Sequence, residues 1–332
     1  MSRHDARPGA PIVLAVVLSM AGLACAGMTA GAQTYPDRRI TLIVPYTAGS
    51  GFDFAGRTVG QRLSDRWGQP VIIDNKPGAS GDIGAEAVAN AEPDGYTILV
   101  TGPPHSVSPA LHKNLRFDPV TSFTPLGAIG TSGLALVVNP VAMPVSSVEE
   151  FLAALRAKPG HYNYSSPGTG TLQHLGMELF KQELGLNAVH VPYRGASIAL
   201  TDLLTGQVQF TFLPVHSARP HVQAGRLRML AVASPRRSPF APDVPSFAEV
   251  GLPNVDFELW YGFFAPARLP AAVTQRWERE LAKISEQDDL KENFQRQGMI
   301  PSFRNAQQTA AHLASEIARW RTVAEKAGIK PD

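Results

Sequence analysis

Short apolar runs alternate along the chain with longer segments in which apolar residues recur every three or four positions. The runs predict buried strands, the spaced segments amphipathic helices, and their alternation a layered α/β fold. The first strand is the run at residues 40–44, closed by Pro45 and a loop of small residues through Gly51. A helix with Ala55, Val59 and Leu63 on one face follows. Residues 70–74 and 96–101 read as the second and third strands. Between them lie the stretch Lys76-Pro77-Gly78-Ala79-Ser80-Gly81, a helix over 83–91 and the turn Pro93-Asp94-Gly95. This β-α-β-α-β order predicts a parallel sheet core.

A strand at 134–139 leads away from that unit. The segment 146–157 reads as a helix with a capping-box start, Ser146-Ser147-Val148-Glu149. Strands at 163–165 and 188–192 flank a helix at 172–184, and 200–205, 208–213 and 227–233 continue the alternation. An aromatic-rich strand at 258–265 returns the chain, and helices at 272–286 and 307–327 finish it. The pattern predicts two α/β lobes joined by two crossings: residues 33–136 and 252–332 in the first lobe, 137–251 in the second.

Residues 1–32 read as a separate export signal. Arg3 and Arg7 give a basic start, residues 12–26 are almost continuously apolar, and Ala30-Gly31-Ala32 offers small residues at a cleavage site before Gln33. The apolar stretch is short of the ~20 residues a spanning helix needs. An N-terminal anchor is the alternative, and Leu23-Ala24-Cys25 is a partial lipobox with Gly22 where that motif wants an aliphatic residue. Cleavage after Ala32 leaves a nearly neutral chain without Cys25, the single cysteine. The mature protein then has neither a thiolate nucleophile nor a thiolate metal site, and reads as a soluble exported protein.

At 332 residues the chain has room for about two domains. Thirty basic against 28 acidic residues, with no basic stripe, exclude a nucleic-acid footprint. Metalloprotease, nucleophile-elbow and P-loop signatures are absent. Gly49-Ser50-Gly51 and Gly168-Thr169-Gly170 fail the dinucleotide fingerprint at Phe54 and Gln173. No histidine pair has metal-ligand spacing beside a carboxylate, and no cofactor is expected.

Both loops nevertheless share one build. Each follows a strand, consists of Gly, Ser and Thr, and opens onto a helix, so its bare amides and the helix dipole suit an anion. One lies in each predicted lobe, and Tyr193-Arg194-Gly195-Ala196 is a third; together they describe an anion clamp. The bland alternative is that the glycines only permit tight turns. His105 stands in the Gly-Pro-Pro-His-Ser loop, placed for a ligand contact. His174, in a helix's first turn, either meets a carboxylate or packs between lobes. Asp53 reads as a first-turn dipole partner, and Trp260 and Tyr261 as core or hinge packing.

At these loops the sequence resembles the Bug-type periplasmic solute-binding receptors of tripartite tricarboxylate transporter systems. The resemblance spans the mature chain, through Ile43-Val44-Pro45-Tyr46, Asn75-Lys76-Pro77-Gly78-Ala79 and Pro93-Asp94-Gly95-Tyr96-Thr97. It continues through Asn163-Tyr164-Ser165-Ser166-Pro167-Gly168-Thr169-Gly170-Thr171, His174-Leu175, Val191-Pro192-Tyr193-Arg194-Gly195 and Asp243-Val244-Pro245-Ser246. It implies a type II periplasmic binding protein fold, two α/β lobes with a hinge and a ligand cleft between them. It also implies capture of a small carboxylate and delivery to membrane transporter subunits rather than catalysis. The family's ligand loops map onto Tyr46, Thr47, Gly49, Ser50, Gly51 and Phe52, then Thr101, His105 and Ser106. The third loop is Ser165, Ser166, Gly168, Thr169, Gly170 and Thr171, with His174 and Tyr193 beside it. Ser50 and Ser80 replace family glycines. Leu213 stands where many relatives carry a polar residue, which argues against an amino-acid ligand, and Phe52 beside Tyr46 favours an apolar or aromatic ligand body. The expected protein is a monomeric receptor for a di- or tricarboxylate or an aromatic carboxylate. The rival is a secreted α/β hydrolase or transferase using Ser166 or Ser50 with His174 or His105.

Overall fold

Burial on both faces, rather than strict alternation, marks the first strand. β1 (Ile40–Val44) is buried at four of its five positions, as expected of a central parallel strand. It pairs in parallel with β2 (Val71–Asn75) and β3 (Thr97–Thr101), with α1 (Gly51–Trp67) and α2 (Asp82–Ala89) as crossovers. The structure is a computed structural model describing residues 1–2 and 35–330. The export signal read at residues 1–32, with its cleavage after Ala32 and Cys25, lies outside the described residues apart from the first two. Arg38–Asp332 forms one folded unit.

After β3 the chain enters α3 (Pro103–Leu111) and then β4 (Phe123–Val138), a sixteen-residue strand. The first part of β4 pairs antiparallel with β9 (Glu258–Pro266) and β10 (Ile300–Arg304). From Leu134 onward it pairs instead with β7 (Phe210–Pro214) and β8 (Arg228–Val232). The second lobe adds α4 (Val148–Ala157), β5 (Asn163–Ser166), α5 (Leu172–Leu184), β6 (Val189–Pro192), α6 (Ala196–Thr205) and α7 (Val215–Gln223). β5 lies parallel between β6 and β7. Strand order is β2-β1-β3-β9-β4 in one lobe and β6-β5-β7-β4-β8 in the other. Each sheet is therefore a parallel trio followed by an antiparallel long strand, and β4 belongs to both.

After β9 come α8 (Ala271–Ser285), α9 (Asp288–Arg296), β10 and α10 (Ala306–Lys326). α10 serves both lobes: Leu313 packs with Leu99, Trp260 and Phe264 of the first, Trp320 and Val323 with Phe212 and Phe257 of the second. α3 reaches across as well, placing Val107 and Ala110 in one cluster with Leu172 and Leu175 of α5.

The predicted helix at 172–184 matches α5. The predicted strand at 134–139 is only the second half of β4. Its first half carries Pro125, Gly127, Gly130 and Gly133 and two register shifts against β9, which interrupt the periodicity. The glycine at 130 is required by packing, because a Cβ there would lie 2.8 Å from Phe294 Cε2. His105 is not in a loop. It is the third residue of α3, a helix hidden by Pro103 and Pro104, which suit a first turn because they need no N–H partner there. The predicted capping box at Ser146 and Glu149 is not formed: Ser147 caps α4 by accepting from the Glu150 amide, and Glu150 Oε2 accepts from the preceding residue, Ser146 N–H, at 2.7 Å.

Candidate functional site

Strand ends and helix starts meet in a cleft of about 640 Å³ between the lobes. The first lobe supplies Tyr46, Thr47, Gly49, Ser50, Gly51, Phe52, Phe54, Ser80, Pro104, Val107, Ser108 and Leu111. The second supplies Pro167, Gly170, Thr171, Leu172, Gln173, Gly195, Ala196, Pro214 and His216, while Leu259, Tyr261, Gln297 and Met299 come from the crossing strands and the turn before β10. None of these residues is Asp, Glu, Lys or Arg. Burial holds the imidazole of His216 below its usual pKa, so it too is neutral at pH 7.

What the cleft offers an anion is backbone. At α1, Ser50 Oγ accepts from Asp53 N–H at 3.2 Å and Ser50 O from Phe54 N–H at 2.9 Å. That leaves the first two helical amides, Gly51 and Phe52, without an intrahelical acceptor. At α5, Thr171 plays the same part for His174 and Leu175, leaving Leu172 and Gln173. α6 has no side-chain cap at all. α5 and α6 carry no acidic residue in the first turn, so the positive ends of their dipoles are uncompensated within the helix. α3 is different: Pro103 and Pro104 remove its first two N–H groups.

The first loop is held from behind. Asp53 is buried, and its carboxylate accepts from the Gly49 amide at 2.9 Å, from Arg57 and from Asn75. Burial alone would raise its pKa; Arg57, Gly49 and Asn75 together hold it below the usual range. Tyr46 and Thr101 hydroxyls lie 2.9 Å apart, and the Tyr46 ring stacks on Phe52 at 4.3 Å. Phe52 also meets Tyr261 edge-on at 5.3 Å.

The second loop is pinned by two stacked histidines. His174 Nδ1 accepts from Gly170 N–H at 3.0 Å, and its ring lies 3.8 Å from that of His190. His190 Nε2 is 2.7 Å from Ser166 Oγ, which donates to Gly168 O at 2.9 Å. A hydroxyl has one proton, so His190 is the donor to Ser166. Burial, opposed by Glu178 and aided by Lys181, takes His174 down to about 4. Burial, then His174 and Lys181, takes His190 down to about 3. Ser165 Oγ is buried with no partner in the chain, the kind of orphan that ordered water or a ligand group satisfies.

Of the residues the sequence proposed, Tyr46, Thr47, Gly49, Ser50, Gly51, Phe52, Gly170 and Thr171 meet on the cleft wall. Thr101, Ser166, Gly168 and His174 stand behind that wall and position it. Thr169 is exposed on the loop. Ser106 is buried and donates to Pro103 O. His105 is packed against Phe117 and Phe123 with Nε2 on Pro119 O at 3.1 Å, and burial takes it to about 4. The Tyr193 hydroxyl donates to Asp202 at 2.7 Å, and that bond, after burial, pushes it up to about 12. Leu213 is buried in the second lobe's core and forms no part of the lining. Val107, Ser108 and Leu111 escaped sequence reading because α3 did; Gln297 and Met299 did so because α9 and β10 are short and polar. The aromatic run around Tyr261 was the one signal available for that wall.

Comparison with known proteins agrees with this architecture. Protein BugT of Bordetella pertussis is 32% identical over 320 residues, covering 96% of this chain and 97% of BugT. The solved structure of R. palustris Rpa4515 with adipate is 33% identical, with a TM-score of 0.78, covering 90% of this chain and all of that one. MatC of Rhodopseudomonas palustris with bound malate is 28% identical, with a TM-score of 0.73 over 87% of this chain and 99% of MatC. The fold is thus the two-lobed type II periplasmic binding fold. Residues 55–329 match the tripartite tricarboxylate transporter family receptor, and the chain belongs to that family of solute-binding receptors.

Proposed function

We propose that this protein is an exported, non-catalytic receptor that captures a small carboxylate between its lobes and presents it to the membrane subunits of a tripartite tricarboxylate-type transporter. One observation carries the reading: a cleft without a formally charged side chain, onto which helix starts open with spare amides. A hydrogen bond to a charged group contributes about 1.5–3 kcal/mol. Four of them, less the cost of ordering ligand and lobes, reach the roughly −8 kcal/mol of a micromolar complex. The adipate and malate held by the two solved neighbours are carboxylates of this kind. The receptor acts as a monomer in the periplasm, and ligand contacts to both lobes stabilise the closed state by their differential affinity.

The hydrolase alternative loses its nucleophiles to structural duties. Ser166 is fully buried beneath its loop, bonded to His190 and Gly168. Ser50 faces the cleft as the cap of α1. Melting curves test the reading. Mono-, di- or tricarboxylates should raise Tm with concentration while their neutral amides do not, and acid recovered after denaturation should be chemically unchanged. No shift from any acid in a broad panel overturns carboxylate capture; conversion of the acid overturns the non-catalytic role.

A further inference from the structure

We infer that the cleft selects a monocarboxylate with a planar apolar body, an arenecarboxylate, over flexible dicarboxylates. The inference rests on the carboxylate reading above and narrows it. The spare amides at the starts of α1, α5 and α6 line this one cleft and supply its station for negative charge. A second carboxylate would need a second station, and the remaining helix starts do not supply one. α3 opens with two prolines and so lacks its first N–H groups. At α7 the cap is Pro214, and the His216 side chain is packed against the turn at Gly298, where a Cβ would lie 2.3 Å from His216 Cβ. No lysine or arginine lines the cleft to compensate, and an unpaired buried carboxylate is costly.

Beside the charge station stands an aromatic one. Phe52 is stacked on Tyr46 at 4.3 Å and meets Tyr261 edge-on at 5.3 Å. A Cβ on Gly51 would sit 3.0 Å from Tyr261 Oη and 3.2 Å from Met299 Cε, so ring and thioether adjoin the first spare amide of α1. A flat arene attached directly to a carboxylate reaches both stations at once, with ring-on-ring and sulfur-on-ring contacts that an alkyl chain cannot make.

Calorimetric titration of the full chain with benzoate, 4-hydroxybenzoate, adipate and malate tests this. The expected result is at least one arenecarboxylate bound about tenfold tighter than either dicarboxylate. Phe52→Ala should abolish that preference, and Phe52→Leu, which keeps the bulk and removes the ring, should do so with Tm little changed. Adipate or malate binding as tightly as the best arenecarboxylate overturns the inference and leaves carboxylate capture standing. Equal weakening of both acid classes by Phe52→Leu also overturns it. Binding of none of the acids overturns both readings.

Discussion

Two stacked imidazoles, His174 buried and His190 half-buried, set the shape of the loop between β5 and α5. His174 stays unprotonated at Nδ1 because that atom accepts the Gly170 amide, and His190 stacks against it while donating to Ser166. Protonating His174 would place an N–H against the Gly170 N–H and a cation against the face of the His190 ring. Four histidines, His105 and His174 buried and His190 and His312 half-buried, are held to about 4, 4, 3 and 4, in each case by loss of solvent first. Their folded values lie below the unfolded value near 6.5, so below that pH the unfolded chain binds protons the native chain refuses. Stability is therefore full above about pH 6.5 and declines as pH falls toward about 4; chemical denaturation across that window should show it. A flat stability from pH 7 to 4 would mean the imidazoles are charged or exposed. His190→Phe keeps the stack and removes the Ser166 donor. It should weaken ligand binding about tenfold at a stability cost of about 1 kcal/mol, and unchanged affinity would separate the pair from the loop. The sequence exposed Gly, Ser and Thr at this loop because composition shows there. It could not show His190, whose role depends on β6 lying beside β5.

Helices and strands show the same division between local and non-local causes. α5 was legible to the residue because its cap Thr171, its apolar face and its terminal Gly185 are all local signals. β4 and α3 were not. β4 is shaped by what packs on it, and α3 by prolines that read as a loop until a strand end is placed before them. Gly102 joins β3 to α3, and a Cβ there would fall 2.0 Å from the Trp260 carbonyl oxygen. Because that neighbour is backbone of β9, Gly102→Ala should cost about 1–3 kcal/mol or more and move Pro104 and Val107 on the cleft wall. Urea unfolding measures the first effect, ligand affinity the second. A neutral Gly102→Ala would show that the β3–α3 junction can shift freely.

Across the molecule, the two-lobed architecture followed from the alternation of elements, and the two loops of matching build that it singled out both line the cleft. Lobe-to-lobe packing by α3 and α10 did not follow from it, because that packing joins residues 60 or more positions apart, such as Val107 and Leu172 in one apolar cluster. Those contacts bear on closure. Gly170 lies against Leu111, where a Cβ would be 2.1 Å from Leu111 Cδ1, on a backbone with φ of +78°. Gly170→Ala should therefore oppose this approach of the lobes. In X-ray scattering with saturating ligand, the wild type should contract and the variant contract less. Equal contraction in both would show that the α3–α5 contact takes no part in closure.

The most direct measurement is a crystal structure of the complex with the tightest-binding acid. Its carboxylate oxygens should lie about 2.7–3.2 Å from the amides of Gly51 or Phe52 on one lobe and of Leu172 or Gln173 on the other. An acid held by side chains alone, or those amides turned toward acceptors of their own chain, would contradict the proposal that backbone at facing helix starts does the binding.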